Sequence, residues 1–226
     1  LTEIVLSLLA AILAIVLHEV AHGYAALALG DDTARRAGRL TLNPIAHVDR
    51  VGTLIVPGVL LIMNSITGGN FMFGWAKPVP VDPRVFRHPR QYMALVAIAG
   101  PACNFALAWI AAYALGFTPD GDLGELLDAF LSSFILFNLI LGLFNLLPVP
   151  PLDGGRIAVG LLPLPMAIAW ARLERFGLLI VVFLVILLPM LLRDFGGGGD
   201  PVQSLLAAAL NWAIQWLPLP SGPPRV

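Results

Sequence analysis

The stretch IVLHEVAHGY, residues 15–24, sets two histidines and a glutamate at the far end of an otherwise aliphatic run. That run begins near Ile4 and reaches Leu29, where Gly30, Asp31 and Asp32 close it. Crossing the hydrocarbon core takes roughly 20 apolar residues, so the run is long enough to span a bilayer. Ionisable groups inside such a span are costly, and they usually line a protein cavity and serve a function. At about 3.6 residues per turn, His18 and His22 stack on one helical face and can both reach one metal ion. Glu19 follows the first histidine directly. It sits beside that face, where it can take a proton from a bound water. Two histidines satisfied by interhelical hydrogen bonds are the plain alternative, but packing does not account for three polar groups at this spacing.

Composition points the same way. Of 226 residues, 58% are hydrophobic and 12% are charged, with a mean hydropathy of +0.87. Soluble domains carry about 25% charged residues. The expected class is an all-α polytopic membrane protein formed as a single domain over residues 1–226. The net charge of −1 offers nothing to nucleic acid. Cys103 is the only cysteine, which excludes an intramolecular disulfide and a cysteine-based zinc site. The first segment lacks the basic start and small-residue cleavage pattern of a signal peptide.

Further spans are expected at Tyr92–Leu115, Phe130–Leu147, Phe176–Leu192 and Val202–Leu217. Residues 117–128 read as an acidic loop, and Asp200-Pro201 as a helix cap and first-turn pair. The glycines at 196–199 read as a flexible link. GRLTLNP at 38–44 alternates like a short strand, and prolines 78, 80 and 83 favour an extended edge segment over a helix. The apolar run 51–66 is short and broken by Pro57-Gly58. If it crosses, lysine and arginine divide 5 against 8 between the two sides; if it dips in and returns, twelve of the thirteen cations share one side and only Arg193 opposes them. The second arrangement gives five spans with the N-terminus outside and the cationic side in the cytosol; an ordinary sixth span is the alternative.

A catalytic zinc takes three protein ligands and keeps one open position. His47 and His88, the other two histidines, lie in polar, proline-flanked sequence and are expected to face solvent. Asp153 follows FNLLPVPP and precedes Gly154-Gly155, at the end of an apolar span that prolines 148, 150 and 151 unwind. That makes it the ligand candidate. With the N-terminus outside, His18 lies about 24 Å into its span at 1.5 Å per residue. Asn145 and Asp153 reach a similar depth from the same side, in the cytosolic half.

HEVAH near the start, AGPACN at 99–104 and NLLPVPPLDGG at 145–155 together resemble the site-2 protease family of intramembrane zinc metalloproteases. The likeness covers about residues 10–160, with further C-terminal helices at about 164–217. It is nearest to compact prokaryotic members without PDZ or CBS domains. The resemblance implies one zinc ion held by His18, His22 and Asp153, with Glu19 as general base and then general acid. It implies that Asn145 and Asn104 steady the substrate or its oxyanion, with interhelical hydrogen bonding as the other reading. It further implies a multi-pass protein of a cell membrane, with membrane proteins bearing a transmembrane segment as substrates. The 38–43 and 77–82 segments would pair with an unwound substrate. A metal-binding transporter and a non-catalytic scaffold of the same fold are the rivals.

Overall fold

The computed structural model describes residues 1–67, 74–188, 191 and 201–220. Among these residues all regular structure is helical. Among the described residues three helices are long and apolar enough to cross a membrane: α1 (Thr2–Ala28), α4 (Pro89–Leu115) and α5 (Asp122–Asn145). They pack on one another as a three-helix unit. Ala10 and Ala14 of α1 meet Ala108, Ala111 and Ala112 of α4, and Phe134, Ile135 and Leu139 of α5 fill the remaining space. Small residues let apolar helices approach closely where no hydrophobic drive between them exists. Ile4, Leu8, Leu9, Leu95, Ile110 and Ile140 point outward from the same three helices.

The stop signals act as the sequence predicts. Gly30 adopts φ +101, and the Gly30 and Asp31 amides bond back to Leu27 and Ala26. This is a Schellman cap, whose left-handed residue favours glycine. The short α2 (Thr33–Arg36) ends in the same way on Gly38 at φ +65. A 3₁₀ turn at Pro44–His47 follows, then a π-helical turn at Arg50–Ile55 that runs into α3 (Val56–Thr67).

That continuous helix differs from the expected break at Pro57-Gly58. Pro57 sits in the first turn of α3, and the wider π turn before it accommodates the missing N–H and the bulk of the ring. Together the two elements form an apolar helix shorter than a full span. Neither expected strand forms. Residues 38–43 make turns and bends, and 77–82 is extended but unpaired, because prolines 78 and 80 remove two of the donors a ladder would use. The acidic loop is also shorter than expected. Asp122 and Glu125 lie in the first turn of α5, where negative charge is favourable against the helix dipole.

Beyond α5 the chain turns through Leu146–Leu152 into α6 (Asp153–Leu161), which packs on α4. An added Cβ at Gly160 would come within 2.4 Å of Ala94, so glycine permits that contact. Next come α7 (Leu164–Arg172), a 3₁₀ turn at Leu173–Phe176, and α8 (Gly177–Val182) with its π-helical extension Phe183–Leu187. The last helix is α9 (Pro201–Ile214). The Asp200 cap, the glycine link at 196–199 and the end of the expected 176–192 span lie outside the described residues.

Candidate metal centre

His18 and His22, one turn apart on α1, meet Asp153 at the first residue of α6. The two Nε2 atoms are 3.1 Å apart, and each lies 3.2 Å from Asp153 Oδ2. It is the one group of three or more potential metal-ligating side chains among the described residues. His18 and Asp153 are buried, at 4% and 7% exposure.

The far side of each imidazole decides which atoms face the cluster. His22 Nδ1 lies 2.7 Å from the Val96 carbonyl, so it is the protonated nitrogen. His18 Nδ1 lies 2.6 Å from Asn104 Oδ1. Asn104 Nδ2 donates to Asn138 Oδ1 at 2.8 Å, and Asn138 Nδ2 donates to the Phe134 carbonyl at 2.8 Å. The relay starts at a backbone acceptor, so its direction is fixed: Asn104 presents its oxygen and His18 Nδ1 must donate. In the neutral rings, with Nδ1 carrying the proton, both Nε2 atoms turn lone pairs toward each other and toward the carboxylate. Asp153 Oδ2 is buried and accepts no conventional hydrogen bond. In that form three acceptor atoms converge, and a cation among them would remove their mutual repulsion. Two imidazole nitrogens and one carboxylate oxygen suit zinc and its neighbours in the first transition row.

The second helix of the bundle makes room for this. An added Cβ at Gly100 would come within 2.5 Å of His22 Nε2 and 2.6 Å of His18 Cε1. Pro101 beside it withdraws an N–H from the helical ladder and loosens the turn that holds Val96. In the loop before α6, an added Cβ at Gly154 would lie 2.3 Å from the Leu146 and Leu147 carbonyls, so the chain folds tightly back under Asp153.

Glu19 is not one of the three converging side chains. It is half-buried, and its Oε2 accepts the Val79 amide at 3.0 Å. Asn104 is wholly buried with its polar atoms engaged as above. Asn145 is half-buried, and its Nδ2 donates to the Leu141 carbonyl at 3.0 Å. His88 is exposed, as expected. His47 is not: it is 3% exposed, and its Nε2 is 2.9 Å from the Thr41 carbonyl. The turn that carries it folds under the 74–82 segment, and the Lys77 amide bonds the His47 carbonyl. Sequence reasoning missed Asn138, the Val96 carbonyl, Gly100 and Val79. Asn138 left a signal as a lone amide in an apolar span, and Gly100 as part of AGPACN.

An apolar helical bundle with a buried His–His–Asp cluster on two of its helices defines a membrane-type protein built around one metal position. The chain belongs to peptidase family M50, whose family model matches residues 122–188. "Putative zinc metalloprotease YwhC" of Bacillus subtilis (strain 168) is 40% identical over 212 residues, covering 87% of this chain and 89% of that protein. "Putative zinc metalloprotease Rip2" of Mycolicibacterium smegmatis is 30% identical over 186 residues, 77% of this chain and 64% of the relative. Rip2 of Mycobacterium tuberculosis (strain H37Rv) is 35% identical over 140 residues, 61% of this chain and 50% of the relative. No solved structure matches the chain.

Proposed function

We propose that this chain is a zinc endopeptidase of the site-2 protease type, cutting peptide bonds within or beside transmembrane segments of membrane proteins. The observation that carries the reading is the meeting of His18 Nε2, His22 Nε2 and Asp153 Oδ2 at 3.1–3.2 Å, with Glu19 one residue from the first. These three side chains would hold the zinc. Zinc held there supplies Lewis acidity, which makes water a nucleophile near neutral pH.

The chain's own groups do the remaining work. Glu19 takes a proton at Oε1, the oxygen left free by the Val79 amide, and returns it to the leaving amine nitrogen. Asn104 and Asn138 hold His18 in the tautomer that offers Nε2. Interhelical hydrogen bonds contribute only about 0.6 kcal/mol each in membrane bundles, so orientation is the better account of this relay than stability. Asn145 still has one amide hydrogen beyond its bond to Leu141 and can donate it to the substrate oxyanion. The apolar surroundings keep bulk water from the site.

The protein acts as one membrane-embedded domain in a cell membrane. Helices α1, α4 and α5 span it, two C-terminal segments bring the spans to five, and the 50–67 helix is re-entrant. The site then lies in the cytosolic half, on the side that carries twelve of the thirteen cations.

The test is paired. Wild type and Glu19→Gln are purified in detergent, bound metal is quantified, and cleavage of a labelled single-span membrane protein is followed. About one zinc on both proteins, with cleavage by the wild type alone, is the expected result. A wild type that binds no metal sinks the proposal.

A further inference from the structure

Glu19 is anchored by a backbone group, and the sequence around that group is unusual. In Lys77-Pro78-Val79-Pro80-Val81, residues 78 and 80 are prolines, so Val79 carries the single N–H of the three central positions. That N–H donates to Glu19 Oε2 at 3.0 Å. A slip of the segment by one residue in either direction would bring a proline nitrogen, with nothing to donate, against the carboxylate.

The segment is stiff and tied on both sides of this contact. The two proline rings fix their own φ, and Lys77 and Val79 are restricted because each precedes a proline. The Trp75 amide bonds the Gly52 carbonyl at 3.1 Å, and the Lys77 amide bonds the His47 carbonyl at 2.9 Å. Arg39 Nη2 bonds the Lys77 carbonyl at 2.6 Å. On the other side the Asp82 amide bonds buried Asp31 at 2.7 Å. The Val79 side chain is buried against α1 at Gly23, one turn beyond Glu19, where an added Cβ would lie 3.1 Å from it. One residue thus holds the same stripe of α1 twice, by its amide at Glu19 and by its side chain at Gly23.

We infer that Pro78-Val79-Pro80 is a positioning element for Glu19: a single-donor pin that anchors one carboxylate oxygen and aims the other at the reacting water. The inference rests on the peptidase reading for its catalytic meaning, but the contact itself does not. A gate that swings off Glu19 is the competing idea. It would have to break the ties at 75, 77 and 82 together, whereas a pin keeps them.

The first experiment needs no substrate. Amide hydrogen exchange is measured on the full chain in detergent, following the peptide that spans residues 77–81, for wild type and Glu19→Ala. The Val79 amide should be protected in wild type and exchange at least about 10-fold faster once its acceptor is gone. Equal exchange in the two proteins overturns the pin. The second experiment compares Val79→Pro, which removes the N–H in an already extended segment, with Val79→Ala, which keeps it. Zinc content and cleavage of the labelled single-span membrane protein are read for both. Val79→Pro should lower kcat roughly 10–100-fold, the range seen when a supporting partner is lost, with KM and zinc content held; Val79→Ala should lose less. A rise in kcat for Val79→Pro would mean that the amide blocks the base, and it would overturn the proposal. If Val79→Pro does not fold, P78A/P80A replaces it: the N–H stays, the stiffness goes, and kcat should fall as Val79 exchange quickens. A wild type that binds zinc yet cleaves nothing defeats the peptidase reading alone, and the exchange result still decides the pin.

Discussion

Two faces of α1 are built by different means. The face bearing His18 and His22 turns into the bundle, where α4, α5 and α6 supply Asn104, Val96, Asn138 and Asp153. The face bearing Glu19 and Gly23 turns toward connecting segments, and Leu40 and Val79 cover it. Side chains on rigid helices set the first face. A backbone amide on a proline-stiffened strap sets the second. The difference fits the two proposed tasks. Ligands must converge on a point within tenths of an ångström, so they gain from helices packed side by side. A general base must gain and lose a proton, so it gains from one oxygen held and one left free.

The comparison can be broken most forcefully on the helical face. Asp153→Ala removes the only oxygen in the cluster, and metal analysis should show zinc binding abolished together with activity. Gly100→Ala should come close to that, since its new methyl would overlap both imidazole rings. A zinc titration against a chelator should show at least a ~10-fold loss of affinity, and wild-type affinity would mean that α4 does not seat the rings. Asn138→Ala acts two bonds away from His18. It leaves Asn104 Nδ2 short of its best acceptor and lets Asn104 rotate. Zinc affinity should fall ~10–100-fold, with a stability loss of about 1–3 kcal/mol for the stranded amide.

Changes on the strap face should be smaller and should touch rate rather than metal. Gly23→Ala would press on Leu40 Cδ2 at 2.4 Å, the free end of a flexible side chain, and less closely on Val79. We expect a several-fold fall in kcat with zinc content unaltered. The smallest effect is a pH dependence of the strap's anchor. Burial pushes Asp31 up, but the hydrogen bonds from Thr33 and from the Asp82 amide outweigh it and hold the carboxyl below its ordinary value. Asp82 is itself drawn down to about 2, chiefly by its hydrogen bonds with Arg84. A carboxyl whose pKa is lower in the folded protein stabilises it above the unfolded value of about 4, and that stability is lost as pH falls through the folded value. Protection against hydrogen exchange at Asp82 and Val79, taken relative to the intrinsic rate at each pH, should therefore fall as pH drops below about 4, ahead of the α1–α4–α5 core.

The two faces were also unequally legible in the sequence. His18, Glu19 and His22 stand out because a helix repeats every 3.6 residues or so and its surroundings are aliphatic. Asp153 stands out because prolines and glycines break a span around it. Local chemistry of that kind is visible without a fold. The Val79 amide is not, since every residue has a backbone and only tertiary placement selects one donor. His47 was misread for a related reason: its polar neighbours suggested solvent, but the 74–82 strap covers it. Residues 38–43 alternate like a strand and do not form one, because the adjoining extended chain carries prolines where paired donors would be required. Asn104 was visible as polar within a span, but its partners His18 and Asn138 were not, since they come from other helices.

The cluster has a consequence for how the protein comes into being. His22 and Asp153 are far apart in the chain, and α6 rests on α4 more than on α1. During synthesis the histidines enter the membrane long before their carboxylate partner exists. On the proposed reading, a nascent chain carries its base and two ligands but has no competent centre until α6 folds back and docks. If the proposed roles hold, the late aspartate completes the centre, and the unfinished chain has no complete ligand set until α6 docks.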